Sequence, residues 1–79
     1  MESKLLRDLF MGFIRVHILH HASKESVYGA EFHKELQHHG YHISFGTLYP
    51  IFHKMETEGL LKMEKILVEG KYRKYYSIT

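Results

Sequence analysis

The stretch Ser44-Phe45-Gly46-Thr47-Leu48-Tyr49-Pro50-Ile51-Phe52-His53-Lys54-Met55-Glu56-Thr57-Glu58-Gly59 decides how this chain is read. Ser44 is a helix N-cap residue, whose hydroxyl can accept from a backbone N–H of the first turn. Leu48, Ile51, Phe52 and Met55 follow at i, i+3, i+4 and i+7, the apolar stripe of an amphipathic helix over 45–58. Gly59 suits the left-handed conformation that ends such a helix. The opposite side carries Thr47, Tyr49, Pro50, His53, Lys54 and Thr57. Pro50 removes a backbone donor just past the first turn, a choice local propensity would not make.

Downstream, residues 60–68 and 72–79 are β-prone runs separated by Glu69-Gly70-Lys71, and Gly70 can take the positive φ of a tight hairpin. In the second run Tyr72, Lys74, Tyr76 and Ile78 share one face, with Tyr76 and Ile78 expected in the core. Arg73, Tyr75 and Ser77 share the other. Upstream, Ser26 is expected to cap a second helix over 27–39, with Phe32 and Leu36 inside and Gly40 at its end. Residues 41–43 read as a short extended piece, an edge strand. A first helix, with Ser3 as its cap, carries Leu5, Leu6, Leu9, Phe10, Phe13, Ile14, Ile18 and Leu19 at three- and four-residue steps. Residues 22–26 then read as a loop. The order helix, helix, helix, strand, strand is a winged helix-turn-helix, mainly α with a small β-hairpin, occupying residues 1–79 as one domain.

Composition narrows the function. At 79 residues the chain is one small domain with little room for a deep catalytic cleft. It has no Cys, which excludes disulfides, cysteine-ligated zinc and thiol nucleophiles. No Gly-rich phosphate loop, nucleophile elbow or paired-carboxylate constellation is present, so an enzyme is not expected, nor is a cofactor. No apolar run approaches a membrane span, and the N-terminus lacks a secretory pattern, which points to a cytoplasmic protein without a membrane partner. Residues 1–43 balance five basic against five acidic side chains, whereas 44–79 hold six against four. The excess gathers at Lys71, Arg73 and Lys74, a local cluster that suits an anionic partner.

Three stretches closely resemble the PadR family of winged-helix transcriptional regulators. They are Val27-Tyr28-Gly29-Ala30-Glu31-Phe32, then Gly46-Thr47-Leu48-Tyr49-Pro50 continuing to Glu58-Gly59-Leu60-Leu61, and Gly70-Lys71-Tyr72-Arg73-Lys74-Tyr75-Tyr76-Ser77-Ile78-Thr79. The family reads approximately YGYEI, GTLYPLLxRLExxGLL and GRPRKYYxLT at these spacings. Ala30 stands where the family has a second Tyr, Tyr72 where the wing usually has Pro, and Ser26 where a Pro usually precedes the second helix. The family continues beyond the position of Thr79 into a long helix that forms its dimer.

The resemblance implies a sequence-specific DNA-binding regulator of the repressor type. Its partner would be double-stranded DNA, with helix 44–58 in the major groove and the wing 68–75 on the backbone or minor groove. Ser44 and Thr47 would hold a phosphate at the helix N-terminus, and Tyr49 would donate its hydroxyl to another. His53 and Lys54 lie one turn on, suited to base edges or backbone, while Lys71, Arg73 and Lys74 would serve from the wing. The competing reading from another class is a winged-helix protein–protein interaction module without DNA binding. A third, a sensor of small aromatic effectors, needs the dimer helix, and the chain has no Trp to stack a planar ligand.

The first helix is more apolar than a small domain requires. A homodimer built on Leu5, Leu6, Leu9 and Phe13, with His17 at its edge, is therefore expected. Tyr28 and Gly29 read mainly as packing residues of the second helix. Eight histidines are many for this length, and His17 and His21 stand four apart. Without Cys or an HExxH pattern to complete a ligand set, no metal site is expected.

Overall fold

The computed structural model describes residues 3–79. Three helices, α1 (Ser3–Lys24), α2 (Gly29–His38) and α3 (Phe45–Thr57), are joined by a short strand β1 (Val27–Tyr28) and followed by strands β2 (Leu61–Val68) and β3 (Lys71–Ile78). The strands form one antiparallel sheet in the order β1-β3-β2. β3 is central, paired with β1 through Val27↔Tyr76 and Tyr28↔Tyr75 and with β2 along its whole length.

Helix α3 forms as its sequence dictates. The Thr47 backbone N–H donates to Ser44 Oγ at 3.1 Å, which caps the helix. At the other end Gly59 has φ +83°, and the N–H groups of Gly59 and Leu60 donate to the carbonyls of Glu56 and Met55. Helix α2 closes the same way on Gly40, at φ +87°, with Tyr41 N–H donating to the Leu36 carbonyl. Both ends are Schellman motifs, which satisfy carbonyls that a helix terminus leaves open. The β2–β3 turn has positive φ at Glu69 (+50°) and Gly70 (+82°), and Val68 pairs with Lys71 across it. Positive φ at both central residues is the signature of a type I′ turn, whose twist matches that of the strands it joins.

Every element contributes to one core: Ile14, Ile18 and Ala22 from α1, Phe32 and Leu36 from α2, and Leu48, Phe52 and Met55 from α3. Val27, Leu61 and Tyr76 add the sheet's inner face. Phe52 sits at the centre, its ring 4.7 Å from that of Tyr76 and edge-on to Phe32 at 5.8 Å. An exposed ion pair, Arg15 Nη2 to Glu58 Oε1 at 2.8 Å, ties α1 to the end of α3. Its contribution is below about 1 kcal/mol, as for exposed pairs generally.

Several expectations need correction. Val27 and Tyr28 are a strand, not the first turn of the second helix, because their backbone groups are recruited by Tyr76 and Tyr75 of β3. The helix therefore starts at Gly29, and no side chain caps it; Ser26 does not. Residues 41–43 do not join the sheet. Ile43 is buried as a loop residue, and its carbonyl accepts from His33 Nε2 at 2.7 Å. The first helix runs on to Lys24, since Ala22 completes the buried Ile14–Ile18 stripe, and Ser3, expected as its cap, is already helical. Ile78, read as core, is 40% exposed near the end of the wing.

Candidate nucleic-acid interface

Ser44, Thr47, Tyr49, His53 and Lys54 lie on α3 or at its cap, and Lys71, Arg73 and Lys74 lie on the hairpin, with Lys74 turned toward α3 and Arg73 toward the other face of the sheet. Ser44 and Thr47 are exposed at the N-terminus of α3, where Ser44 Oγ donates to Thr47 Oγ1 at 3.0 Å. Their hydroxyls thus stand beside the free N–H groups of the first helical turn, a place where an anion is favoured. His53 and Lys54 are exposed one to two turns on, and His53 Nδ1 lies a loose 3.9 Å from Glu56 Oε1. Lys71 is exposed at the hairpin turn.

Tyr49 is half-buried rather than free. Its hydroxyl accepts a hydrogen bond from Lys74 Nζ, and that ammonium lies 4.8 Å from the Tyr49 ring centre. The fold thereby joins the recognition-helix candidate to the wing, a contact made by residues 25 apart in sequence. Phe45 packs on the other side of Tyr49, ring to ring at 6.0 Å.

Arg73 points to the opposite face of β3, as strand alternation requires. Its guanidinium lies 4.6 Å from the centre of the Tyr28 ring, which stacks on Tyr75 at 5.4 Å and 29°. A side-chain hydrogen bond with Tyr75 raises the Arg73 pKa above its ordinary value; burial opposes it, and Tyr28, Tyr75 and Glu31 add smaller upward effects. Below the same seam Tyr76 is buried, and its phenol is pushed up to about 12, first by loss of solvent and then by Tyr49 and Glu56. Tyr76 is therefore a core residue that remains neutral, not a contact group.

Two features of this face are missing from the sequence-based set. Phe45 stands 43% exposed at the first position of α3, and Leu67 and Tyr72 face each other across the hairpin at 59% and 72% exposure. Exposed apolar residues inside an otherwise polar helix start and wing tip are the signal that could have marked them. Gly29 is buried where a Cβ would lie 3.7 Å from Phe45 Cε1 and 3.9 Å from Phe52 Cε2. That is ordinary contact, so close packing alone does not demand glycine there.

The expected dimer residues lie elsewhere. Leu5, Leu6 and Leu9 are 60–63% exposed and Phe13 is 46% exposed along the outer half of α1. His17 packs between Phe13, at 4.4 Å between ring centres, and Tyr41, at 6.3 Å. Its pKa is lowered by burial first and then by His21, His20 and His39, so the fold of one chain already disfavours the charged form. His17, His21 and His39 open into one cavity with Glu35 and Tyr41, yet among the described residues no three potential ligands are placed to hold a metal ion. Among those residues, no helix is long and apolar enough to cross a membrane.

Three helices on a small sheet, with a two-stranded wing packed beside the third helix, define a winged helix-turn-helix protein. The transcriptional regulator PadR-like family matches residues 18–79, and the chain belongs to that family. It is 45% identical over 74 residues to transcriptional regulator Rv3488 of Mycobacterium tuberculosis, covering 94% of this chain and 69% of that protein. Among solved structures it resembles a PadR family transcriptional regulator from Eggerthella lenta, with TM-score 0.81 and 35% identity over 98% of this chain and 68% of the other. A PadR-like transcription factor from Bacteroides fragilis superposes with the same TM-score at 26% identity, over 98% of this chain and 76% of that one. The relatives are regulators of transcription rather than enzymes.

Proposed function

We propose that this PadR-family chain is a sequence-specific DNA-binding regulator of the repressor type, acting in the cytoplasm. Helix α3 reads the major groove through Ser44, Thr47, His53 and Lys54, with Tyr49 serving through Lys74, and the wing lays Lys71, Arg73 and Lys74 on the backbone or minor groove. The observation that carries this reading is the Tyr49–Lys74 contact, which ties the wing's charge to the polar side of α3. A helix in a groove about 12 Å wide has phosphates on both sides, and a cationic hairpin beside it is placed to meet one of them. Occupancy of an operator is enough to block transcription, which is why repression is the output assigned.

A single winged helix covers one half-site, and two half-sites about one helical turn apart call for a pair of domains. The exposed Leu5, Leu6, Leu9 and Phe13 supply an apolar face for that pair, so a homodimer through α1 belongs to the proposal. Selection from random duplex DNA, run beside sedimentation of the free protein, tests it. We expect an enriched two-fold symmetric site and an affinity that falls steeply with salt. Lys54→Ala should lower the salt slope by about one unit. Replacing Arg73 and Lys74 together should weaken all sequences nearly equally. No enrichment and no salt dependence would leave the apolar face of α1 as the functional surface, and the chain as a protein-interaction module.

A further inference from the structure

We propose that Tyr28 and Tyr49 are positioning residues of this interface, Tyr28 presenting its ring to Arg73 and Tyr49 its hydroxyl to Lys74, so that both wing cations are held in place before DNA arrives. The inference rests on the DNA-binding reading above and adds to it two tyrosines that act through another residue.

The geometry is specific to the two faces of β3. Successive strand residues point to opposite sides, so Arg73 and Lys74 cannot be steadied by one neighbour. One tyrosine stands on each side. Tyr28, from β1, shares the face of Arg73 and Tyr75, and its ring centre is 4.6 Å from the guanidinium carbon. Tyr49, from α3, shares the face of Lys74, with its ring centre 4.8 Å from the ammonium and its hydroxyl accepting from it. The Arg73–Tyr28 separation falls inside the range of about 6 Å over which a cation is drawn to an aromatic face, whereas Lys74 is held at the hydroxyl edge of Tyr49. The rings are themselves held, Tyr28 by its stack on Tyr75 and Tyr49 by Phe45. Arg and Lys are among the side chains with most rotamer freedom to lose on binding. A cation already confined by a ring or a hydroxyl loses less of it when it meets a phosphate, and the gain appears as affinity. The pairs also fix the wing against α3 and β1, so the spacing between groove contact and backbone contact is set before binding.

The test uses variants of the intact chain that keep or remove each contact: Tyr28→Phe against Tyr28→Leu for the ring, and Tyr49→Phe for the hydroxyl. Proton and nitrogen NMR of the DNA-free protein should show the Arg73 δ-methylene protons shifted upfield by the Tyr28 ring. The shift should persist in Tyr28→Phe and vanish in Tyr28→Leu. Binding to a random-sequence duplex at low salt should weaken about two- to fivefold in Tyr28→Leu, the range one cation–ring contact supplies, while Tyr28→Phe stays within about twofold of wild type. Tyr49→Phe should weaken binding by about twofold or more, and should cost nothing further in a Lys74→Ala background, where there is no ammonium to hold. Unshifted Arg73 methylene protons in the wild type would overturn the assignment for Tyr28, as would a Tyr28→Leu variant that binds as the wild type does. An equal loss from Tyr49→Phe with and without Lys74 would overturn it for Tyr49, because the hydroxyl would then act on DNA by itself. A wild type without salt-dependent binding would reject the DNA reading and this assignment with it. Salt-dependent wild-type binding with indifferent Tyr28→Leu and Tyr49→Phe variants would reject the assignment alone.

Discussion

Helices α1 and α3 carry apolar stripes of similar regularity, and the fold treats them differently. In α3 the stripe of Leu48, Phe52 and Met55 is fully buried. In α1 only Ile14, Ile18 and Ala22 are buried, while Leu5, Leu6, Leu9 and Val16 stay 60–63% exposed. Length explains the difference. At 22 residues α1 is about 33 Å long, more than the rest of the body can cover. An apolar period therefore shows that a face seeks cover, and the surrounding elements determine whether one chain supplies it.

The sharpest way to break this contrast is a matched pair of truncations. Phe52→Ala should destabilise the chain by about 3–5 kcal/mol, as emptying a core aromatic site does. Leu9→Ala should change monomer stability by less than about 0.5 kcal/mol. Urea unfolding at a concentration below any association reads both, and similar losses would mean that the outer half of α1 is packed within its own chain. In the same spirit, Leu9→Glu should shift sedimentation toward 9.4 kDa without lowering the unfolding midpoint.

The core on which α3 rests also has a pH limit. Tyr76 is neutral in the folded chain up to about 12, whereas an unfolded tyrosine ionises near 10. The unfolded state thus loses its proton first. The stabilisation is complete below about pH 10 and is lost as pH rises through about 12, a difference of order 2–3 kcal/mol. Alkaline unfolding followed for the wild type and Tyr76→Phe checks this, since the variant should lack that component.

A smaller effect is expected at the start of α3. Ser44→Ala removes the acceptor for Thr47 N–H and should cost about 1 kcal/mol, read as a lower thermal midpoint. Smallest is the contribution of His17. Its lowered pKa makes the unfolded state bind the proton first as acid is added. The associated stability is present above pH ~6.5 and fades as pH falls below it. His17→Gln should flatten the acid arm of the stability profile, and an unchanged arm would show that His17 does not set it.

Much of the fold beneath the candidate interface was legible because its parts are local. Ser44, Gly59 and the Leu48–Phe52–Met55 spacing specify a capped helix within one stretch, and Gly70 specifies a hairpin within three residues. Tyr49 shows where this fails. Its place on the helix puts it off the core stripe, which suggests a free hydroxyl, yet Lys74 reaches it from a distant strand. Tyr28, expected to pack within the second helix, shows the same failure, since its partners Tyr75 and Arg73 are more than forty positions away.

By itself the sequence determined the three helices, the hairpin and the winged-helix order. These depend on caps, periods and turn residues that act over at most four or five positions. Tertiary structure alone decided that Val27 and Tyr28 become a strand, that residues 41–43 do not, and that α1 continues to Lys24. It also decided that each of two wing cations meets a tyrosine, Arg73 at the Tyr28 ring and Lys74 at the Tyr49 hydroxyl, and that half of α1 is left uncovered. In each case a short segment with weak preference of its own was settled by the backbone partner or apolar surface that folding brought to it.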